Sequence, residues 1–308
     1  MKKLITTLIL LGMIFGIYYY YNDIIDFVMY NFVYKEDFER PEANEYKRDY
    51  DFAFVQNTND FTPTKKQDIL NIIYTSLNNG WTNFTFFCPR KTYKKCLDDV
   101  EEITNDTTLV SNINNYIGTY NSYNKILVNI NSFGHVNITV DRLYSDEEIS
   151  KIKAKIDEIY DALITDNMTT EEKIRAFHNY IIDNTSYDEE RSVEIKSNTI
   201  TSLKHPSNTA YGPLFTGKAI CGGYTDAMAL FLDKLGLKNY KVSSEKHIWN
   251  LVEIDGKWKH LDLTWDDPVV NTGIDLLIDT YFLIDTNTLL DKEKTQHNFN
   301  SKVFIEAK

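Results

Sequence analysis

Positive charge is scarce in this chain of 308 residues: 33 Lys and Arg stand against 45 Asp and Glu, a formal net charge of -12. A phosphate backbone is bound through a basic surface, so nucleic acid is excluded as an expected partner. Histidine is also sparse. His135, His178, His205, His247, His260 and His297 show no metal-ligand spacing, and "DLTWDDP" lacks the Gly and terminal Glu of a calcium loop. No metal or other cofactor is expected. There is no internal repeat and no low-complexity tract, while 43% apolar and 14% aromatic residues describe a chain that folds. At this length about two domains and a substantial core are expected.

Cysteine is limited to three positions. Cys88 and Cys96 lie eight apart in "CPRKTYKKC" and can close a small disulfide loop if their Cα atoms come within about 7 Å. That pairing leaves Cys221 alone, either as a buried filler or as a reactive thiol.

A long uncharged run occurs once, from Leu4 to Tyr21 behind Lys2 and Lys3. Its length approaches the roughly 20 residues that span a bilayer as a helix. Tyr18 to Tyr21 fall where an interfacial aromatic belt would sit, and the lysines imply an inside N-terminus. No small-x-small cleavage site follows. Residues 1–22 are therefore expected to be an uncleaved single-pass anchor with the bulk of the protein on the extracytoplasmic side; secretion after signal cleavage is the alternative. Residues 23–48 read as a polar stalk.

Residues 49–143 read as a small α+β module without a catalytic motif. "DFAFV" and "NFTFFC" alternate like strands, "KKQDILNIIYTSL" has helical apolar spacing, and "KILVNINSFGHVNITVDRL" forms two strands around a Ser-Phe-Gly turn. The remainder, 144–308, opens with a helix from Asp146 to about Ile164. A second helix is announced by a Thr169–Glu172 capping box, and residues 189–210 are polar and irregular. Asp266 and Asp267 read as caps of the turn before Pro268.

In "TGKAICGGYTDAMALFLDKLGLKN" the apolar positions Ala227, Leu230, Phe231 and Leu235 share a helical face that begins at or just after Cys221 and stops at Gly236. A thiolate there meets unpaired N–H groups and the positive end of the helix dipole, which also suit an oxyanion. Gly222 and Gly223 are expected to keep the approach to sulfur open. A nucleophilic thiol needs a base, and the base needs an orienting group. Asp255-Gly256 marks a two-residue hairpin, which pairs Ile254 with Lys257, Trp249 with Asp262 and His247 with Thr264. His247, Trp249, Asp262 and Thr264 then share one face, the other being core, and His247 and Asp262 become diagonal neighbours. His260 shares that face nearer the turn, and Lys257 and Lys259 place it toward an exposed end.

"AYGPLFTGKAICGGYTDAMALFLDKLGL", then "HIWN", then "DGKWKHLDLTWDDP", with "RAFHNYIIDNTSYD" upstream, resemble the transglutaminase-like cysteine enzyme superfamily, particularly its bacterial membrane or secreted members. The likeness covers roughly residues 165 to 270. It implies an α+β fold with a papain-like core, in which a helix carrying Cys221 packs on an antiparallel sheet carrying His247 and Asp262. It further implies a Cys-His-Asp triad forming an acyl-enzyme on a glutamine side chain or peptide amide of a protein substrate. An amine resolving that intermediate makes a crosslinking transglutaminase, and water makes a protease or deamidase. Asn208, Tyr211 and Gly222 are oxyanion candidates by position, and Trp249 is a candidate wall of the cleft. A catalytically idle anchored scaffold is the second class of function.

Overall fold

The computed structural model describes residues 2–33, 40–197, 202–267 and 278–308. Two helices, α1 (Lys2–Tyr19) and α2 (Tyr21–Val28), begin the chain. The expected straight span of residues 1–22 is instead broken at Tyr20. Among the described residues no single helix is long and apolar enough to cross a membrane; α1 and α2 meet that length and composition only together, bent by 65°. The side chains of α1 are exposed, Leu4 at 66% and Phe15 at 68%.

The next region holds α3 (Lys66–Asn78), β1 (Asn83–Phe87), α4 (Cys96–Asn105), α5 (Thr107–Asn114), β2 (Tyr123–Ile130) and β3 (His135–Arg142). Its strands form an antiparallel sheet in the order β1-β3-β2. The "DFAFV" stretch, expected as a strand, is irregular. Phe52 and Val55 are nevertheless buried, so its apolar alternation reports anchoring in the core rather than strand pairing. Cys88 and Cys96 form a disulfide with Cα atoms 5.5 Å apart.

Beyond lie α6 (Asp146–Leu163), α7 (Thr170–Asp183), β4 (Ser186–Tyr187), α8 (Glu189–Lys196), β5 (Lys218–Ala219) and α9 (Cys221–Lys234). The stretch expected to be irregular thus contains α8, started by the Asp188 side chain accepting the Arg191 N–H. Both Ser145 and Thr169 close capping boxes, on α6 and α7. A second antiparallel sheet follows, β6 (Asn239–Ser243), β7 (Ile248–Ile254) and β8 (Lys257–Leu261), ordered β6-β7-β8, and then α10 (Leu263–Asp266) and α11 (Thr286–Lys292).

This second sheet is buried on both faces. Tyr240, Val242, Trp249 and Leu251 join Phe52, Ile69, Tyr116, Val136 and Phe304 in one hydrophobic cluster. Val252 and Leu261 join Phe177, Ala227, Met228 and Phe231 in the other. Residues on either side of position 143 therefore share one core, and the expected polar face of the β7–β8 hairpin is apolar and covered.

The end of the expected stalk is packed as well. Asn44 donates its N–H to Asn79 O, and Arg48, 6% exposed, threads into the body. Its guanidinium donates to Tyr116 O (3.2 Å), Asn239 O (2.7 Å) and the Asp233 carboxylate (3.1 Å) at the end of α9. Removing it takes the guanidinium donor from two main-chain carbonyls, Tyr116 O and Asn239 O, in the interior. Arg48→Met is expected to lower unfolding stability by ~3 kcal/mol in a denaturant titration; a loss within 0.5 kcal/mol, as an ordinary surface change gives, refutes this weight.

Candidate active site

Cys221 opens α9 with Ile220 in extended conformation as its N-cap, so the expected helix start is where the thiol sits, half-buried. The far end is closed as the sequence indicates: Gly236 has φ of 70°, its N–H reaches Asp233 O and the Leu237 N–H reaches Leu232 O, a Schellman stop. Gly222 and Gly223 have a different use from the one expected. A Cβ on Gly223 would lie 2.6 Å from Ser207 O, and one on Gly222 would lie 3.1 Å from Asn208 O. Bare backbone here lets the 207–209 turn press against the helix. Because helix geometry leaves the first N–H groups without internal acceptors, those of Cys221 and Gly222 make no hydrogen bond among the described residues.

His247 closes the four-residue turn between β6 and β7, where its N–H meets Ser244 Oγ and its carbonyl accepts the Ser244 N–H. The register of β7 on β8 begins with Ile254 opposite Lys257, as the Asp-Gly signal requires, but pairing stops at Asn250 opposite Leu261. The expected Trp249–Asp262 and His247–Thr264 pairs do not form. Asp262 instead gives its N–H to Tyr281 O and caps α10, with Oδ1 accepting the Trp265 N–H at 3.3 Å, so Thr264 is helical. His247 and Asp262 nonetheless meet beyond the sheet's end: His247 Nε2 donates to Asp262 Oδ2 at 2.5 Å, and Cys221 is near enough to the same imidazole to raise its pKa. With Nε2 committed to Asp262, Nδ1 is the nitrogen open to sulfur.

Both members are buried, His247 at 6% exposure and Asp262 at 1%. Burial is the largest influence on His247 and opposes its charging. The Asp262 charge, its hydrogen bond and then Cys221 outweigh this, so the imidazole is held well above its ordinary 6.5. Burial likewise works against ionised Asp262, and His247 followed by His297 keeps it below its ordinary 3.8.

His297 is the residue sequence reasoning missed. It is fully buried, and its Nε2 lies 2.9 Å from Asp262 Oδ2, the oxygen already shared with His247. Its Nδ1 faces Glu293 O (3.1 Å) and Glu293 Oε2 (3.2 Å). Glu293, drawn below its usual value against burial by the Gln296 and Thr295 N–H groups, is an acceptor only. Both ring nitrogens of His297 thus face oxygen atoms. Cys221, His247, Asp262, His297 and Glu293 thus form one continuous chain of contacts. Thirty-five residues separate His297 from Asp262, and the intervening backbone has no periodic relation to β8 that could have announced the meeting.

The other expected positions divide. Asn208 is brought to the helix start, its carbonyl against Gly222 and its Oδ1 held by Arg191 Nε at 3.0 Å. Tyr211 stacks on Phe215 at 4.5 Å, and no described interaction joins it to Cys221. Trp249, 1% exposed, cannot wall a cleft. It stacks under His247 at 5.6 Å and its Nε1 donates to His260 Nδ1 at 2.9 Å. His260 is therefore buried, not exposed as expected; burial and then the nearby His297 charge lower its pKa to about 3, and it does not compete for Asp262. Asp266 is no turn cap: fully buried, it accepts from His178 Nε2 (3.1 Å) and the Tyr281 N–H (2.8 Å). Pro268 lies outside the described residues. Tyr187, paired with Ala219 two residues before Cys221, has its phenol raised by burial and further by the Cys221 charge, which makes it a neighbour of the thiol.

His247, Asp262 and His297 also present ligand atoms within 4.8 Å of one another, contrary to the absence of ligand spacing in the sequence. Two imidazoles and a carboxylate are a donor set that transition metals accept. At 2.5 and 2.9 Å these atoms are hydrogen-bonded to each other.

No family model matches this chain, and no curated protein matches it. Among solved structures, it is similar to one described as a TGase, at 18% identity and a TM-score of 0.36, covering 52% of this chain and 47% of that one. A second is a proposed cysteine protease from Cytophaga hutchinsonii, at 11% identity and a TM-score of 0.27, covering 46% and 62%. The chain thus matches about half of the first structure's length and about three-fifths of the second's.

The electrostatics set a stability window. His247, raised on folding, contributes fully below pH 6.5 and loses that contribution as pH rises toward its folded value; Asp262, lowered, contributes fully above pH 3.8 and loses it on acidification. The pair is strongest between those values. Asp262→Asn is expected to flatten the alkaline decline in melting temperature between pH 6.5 and 9; an alkaline slope equal to the parent's counts against this assignment.

Proposed function

We propose that the protein is a thiol-dependent enzyme acting on protein or peptide amides by acyl transfer or hydrolysis, held at the outer cell surface by its N-terminal helix. The observation that carries the chemistry is the placement of Cys221 beside the His247 imidazole, which is itself hydrogen-bonded to a buried Asp262. His247 takes the thiol proton, a transfer favoured by the raised imidazole and the helix end. Sulfur attacks the carbonyl carbon of a glutamine carboxamide or peptide bond. The developing oxyanion takes the unpaired N–H groups of Cys221 and Gly222, with the Asn208 amide as a further candidate. Ammonia or an amine leaves with the His247 proton, and a thioester remains. Water resolves it to acid, or a primary amine to a new amide. The exposed apolar side chains of α1 support attachment to a membrane.

Asp262 and His297 are positioning residues in this reading. His297 shares Asp262 Oδ2 with His247 and helps keep that carboxyl below its ordinary value, so it fixes the group against which the His247 imidazole is held.

Selective labelling of Cys221 by a thiol-reactive acyl analogue is expected, falling on the order of a hundredfold or more in His247→Ala. Labelling no faster than that of an unfolded thiol would instead support an idle scaffold. Mass analysis of glutamine-peptide products with and without a primary amine assigns the second half-reaction: a deamidated or cleaved peptide denotes hydrolysis, an amine adduct crosslinking.

His297→Ala, which removes a hydrogen bond to the Asp262 carboxylate, is expected to slow Cys221 alkylation about tenfold, with partial recovery in His297→Gln, which keeps a donor toward Asp262. No recovery in His297→Gln would leave His297 a packing residue.

A further inference from the structure

Four cations lie within the nine residues of the Cys88–Cys96 disulfide loop: Arg90, Lys91, Lys94 and Lys95, in a chain of net charge -12. Closure by the disulfide concentrates them at one place. That place is set by α2, whose Asp26 carboxylate accepts the N–H groups of Arg90 (3.2 Å) and Lys91 (3.0 Å) and whose Asp23 pairs with Lys91 Nζ at 2.6 Å. Asp23 and Asp26 follow Tyr21 by two and five positions, about 3 and 8 Å along a helix. The loop is therefore fastened within a turn or two of the tyrosine belt.

Three further features sit at the same end. Because α2 leaves α1 at 65°, it runs closer to the plane of a membrane than to its normal when α1 stands upright in it. Ile24, Phe27, Val28 and Phe32 on α2 and the turn after it are 40–64% exposed, apolar and uncovered, as in a helix lying at an interface. The β2–β3 tip adjoins the loop through the Cys88 N–H to Gly134 O bond (2.7 Å) and exposes Phe133 at 46%. Lys94 and Lys95 are exposed and form no ion pair among the described residues, while of the acids that follow on α4, Asp99 takes the Tyr93 hydroxyl and Glu102 pairs with Lys66. Asp98 and Glu101 remain as nearby negative charge.

We propose that the Cys88–Cys96 loop is a membrane-docking surface for anionic phospholipid headgroups, with Phe133 and the apolar face of α2 entering the interface beside it. The reading rests on α1 as the anchor. Docking of this kind fixes the orientation of the protein on the bilayer and is weakened by salt.

The test uses the full chain in bilayers of phosphatidylcholine alone and of phosphatidylcholine with phosphatidylglycerol, measuring acylation of individual lysines by a membrane-impermeant amine reagent. Lys94 and Lys95 are expected to label roughly fivefold more slowly in the anionic bilayer, with the protection lost in high salt, while the exposed Lys246 and Lys302 label equally in both. Equal labelling of Lys94 and Lys95 in the two bilayers overturns the proposal.

Flotation with vesicles separates this result from the anchor reading. A chain that floats with neutral vesicles, yet shows no protection, leaves the anchor standing and removes the docking surface. A chain that floats only with anionic vesicles, and not as Lys94→Glu/Lys95→Glu, keeps the docking surface and removes the anchor. Flotation with neither removes both.

Discussion

One carboxylate oxygen organises the centre of this protein. Asp262 Oδ2 receives the Nε2 groups of two imidazoles, His247 at 2.5 Å and His297 at 2.9 Å, in an interior where an unpaired charge would be untenable. Each neighbour is in turn held by something else: His247 by the Ser244 turn and the Trp249 face, His297 by Glu293 and a surround of Trp249, Trp265 and Tyr281 rings. Breaking any link leaves a charged or polar atom stranded, so the geometry around the thiol is over-determined.

The surrounding fold serves to bring three chain ends to that oxygen. The helix α9 delivers Cys221 because Gly222 and Gly223 allow the 207–209 turn to lie against its first residues. β7 and β8, clamped between two hydrophobic clusters, stop where His247 precedes one strand and Asp262 follows the other. The C-terminal segment pairs Ile284 with His260 along the free edge of β8, passes through α11 and returns His297 to the interior. Arg48 secures the opposite end of α9. The module that precedes residue 143 contributes to this rigidity, since its core continues under the second sheet.

Much of the site was legible in the sequence because its signals are local. A helix start is written in a glycine-flanked cysteine with a 3.6-residue apolar repeat behind it, and a hairpin register is written in Asp255-Gly256. The register holds as far as Leu261, and the prediction then exceeded it: strands end when backbone pairing yields to another partner, and here Tyr281 O takes the Asp262 N–H. Lys257 and Lys259 suggested an exposed His260, but alternate residues of a strand face opposite ways, and on its own face the His260 ring meets Trp249, Phe299 and the Thr286 hydroxyl. The "DFAFV" stretch shows the same limit, since burial alone can produce an alternating pattern without a partner strand.

What the sequence by itself determined are the features that depend on neighbours within a few residues: the start and stop of α9, the capping boxes of α6 and α7, the Asp-Gly turn, and the closeness of Cys88 to Cys96. Tertiary structure decided the rest. That His297 joins Asp262 and that the disulfide loop is tied to α2 are contacts between residues 35, 64 and 65 positions apart in the chain. Such contacts follow from how whole elements pack, and their loop-closure cost is met only when the complete core forms.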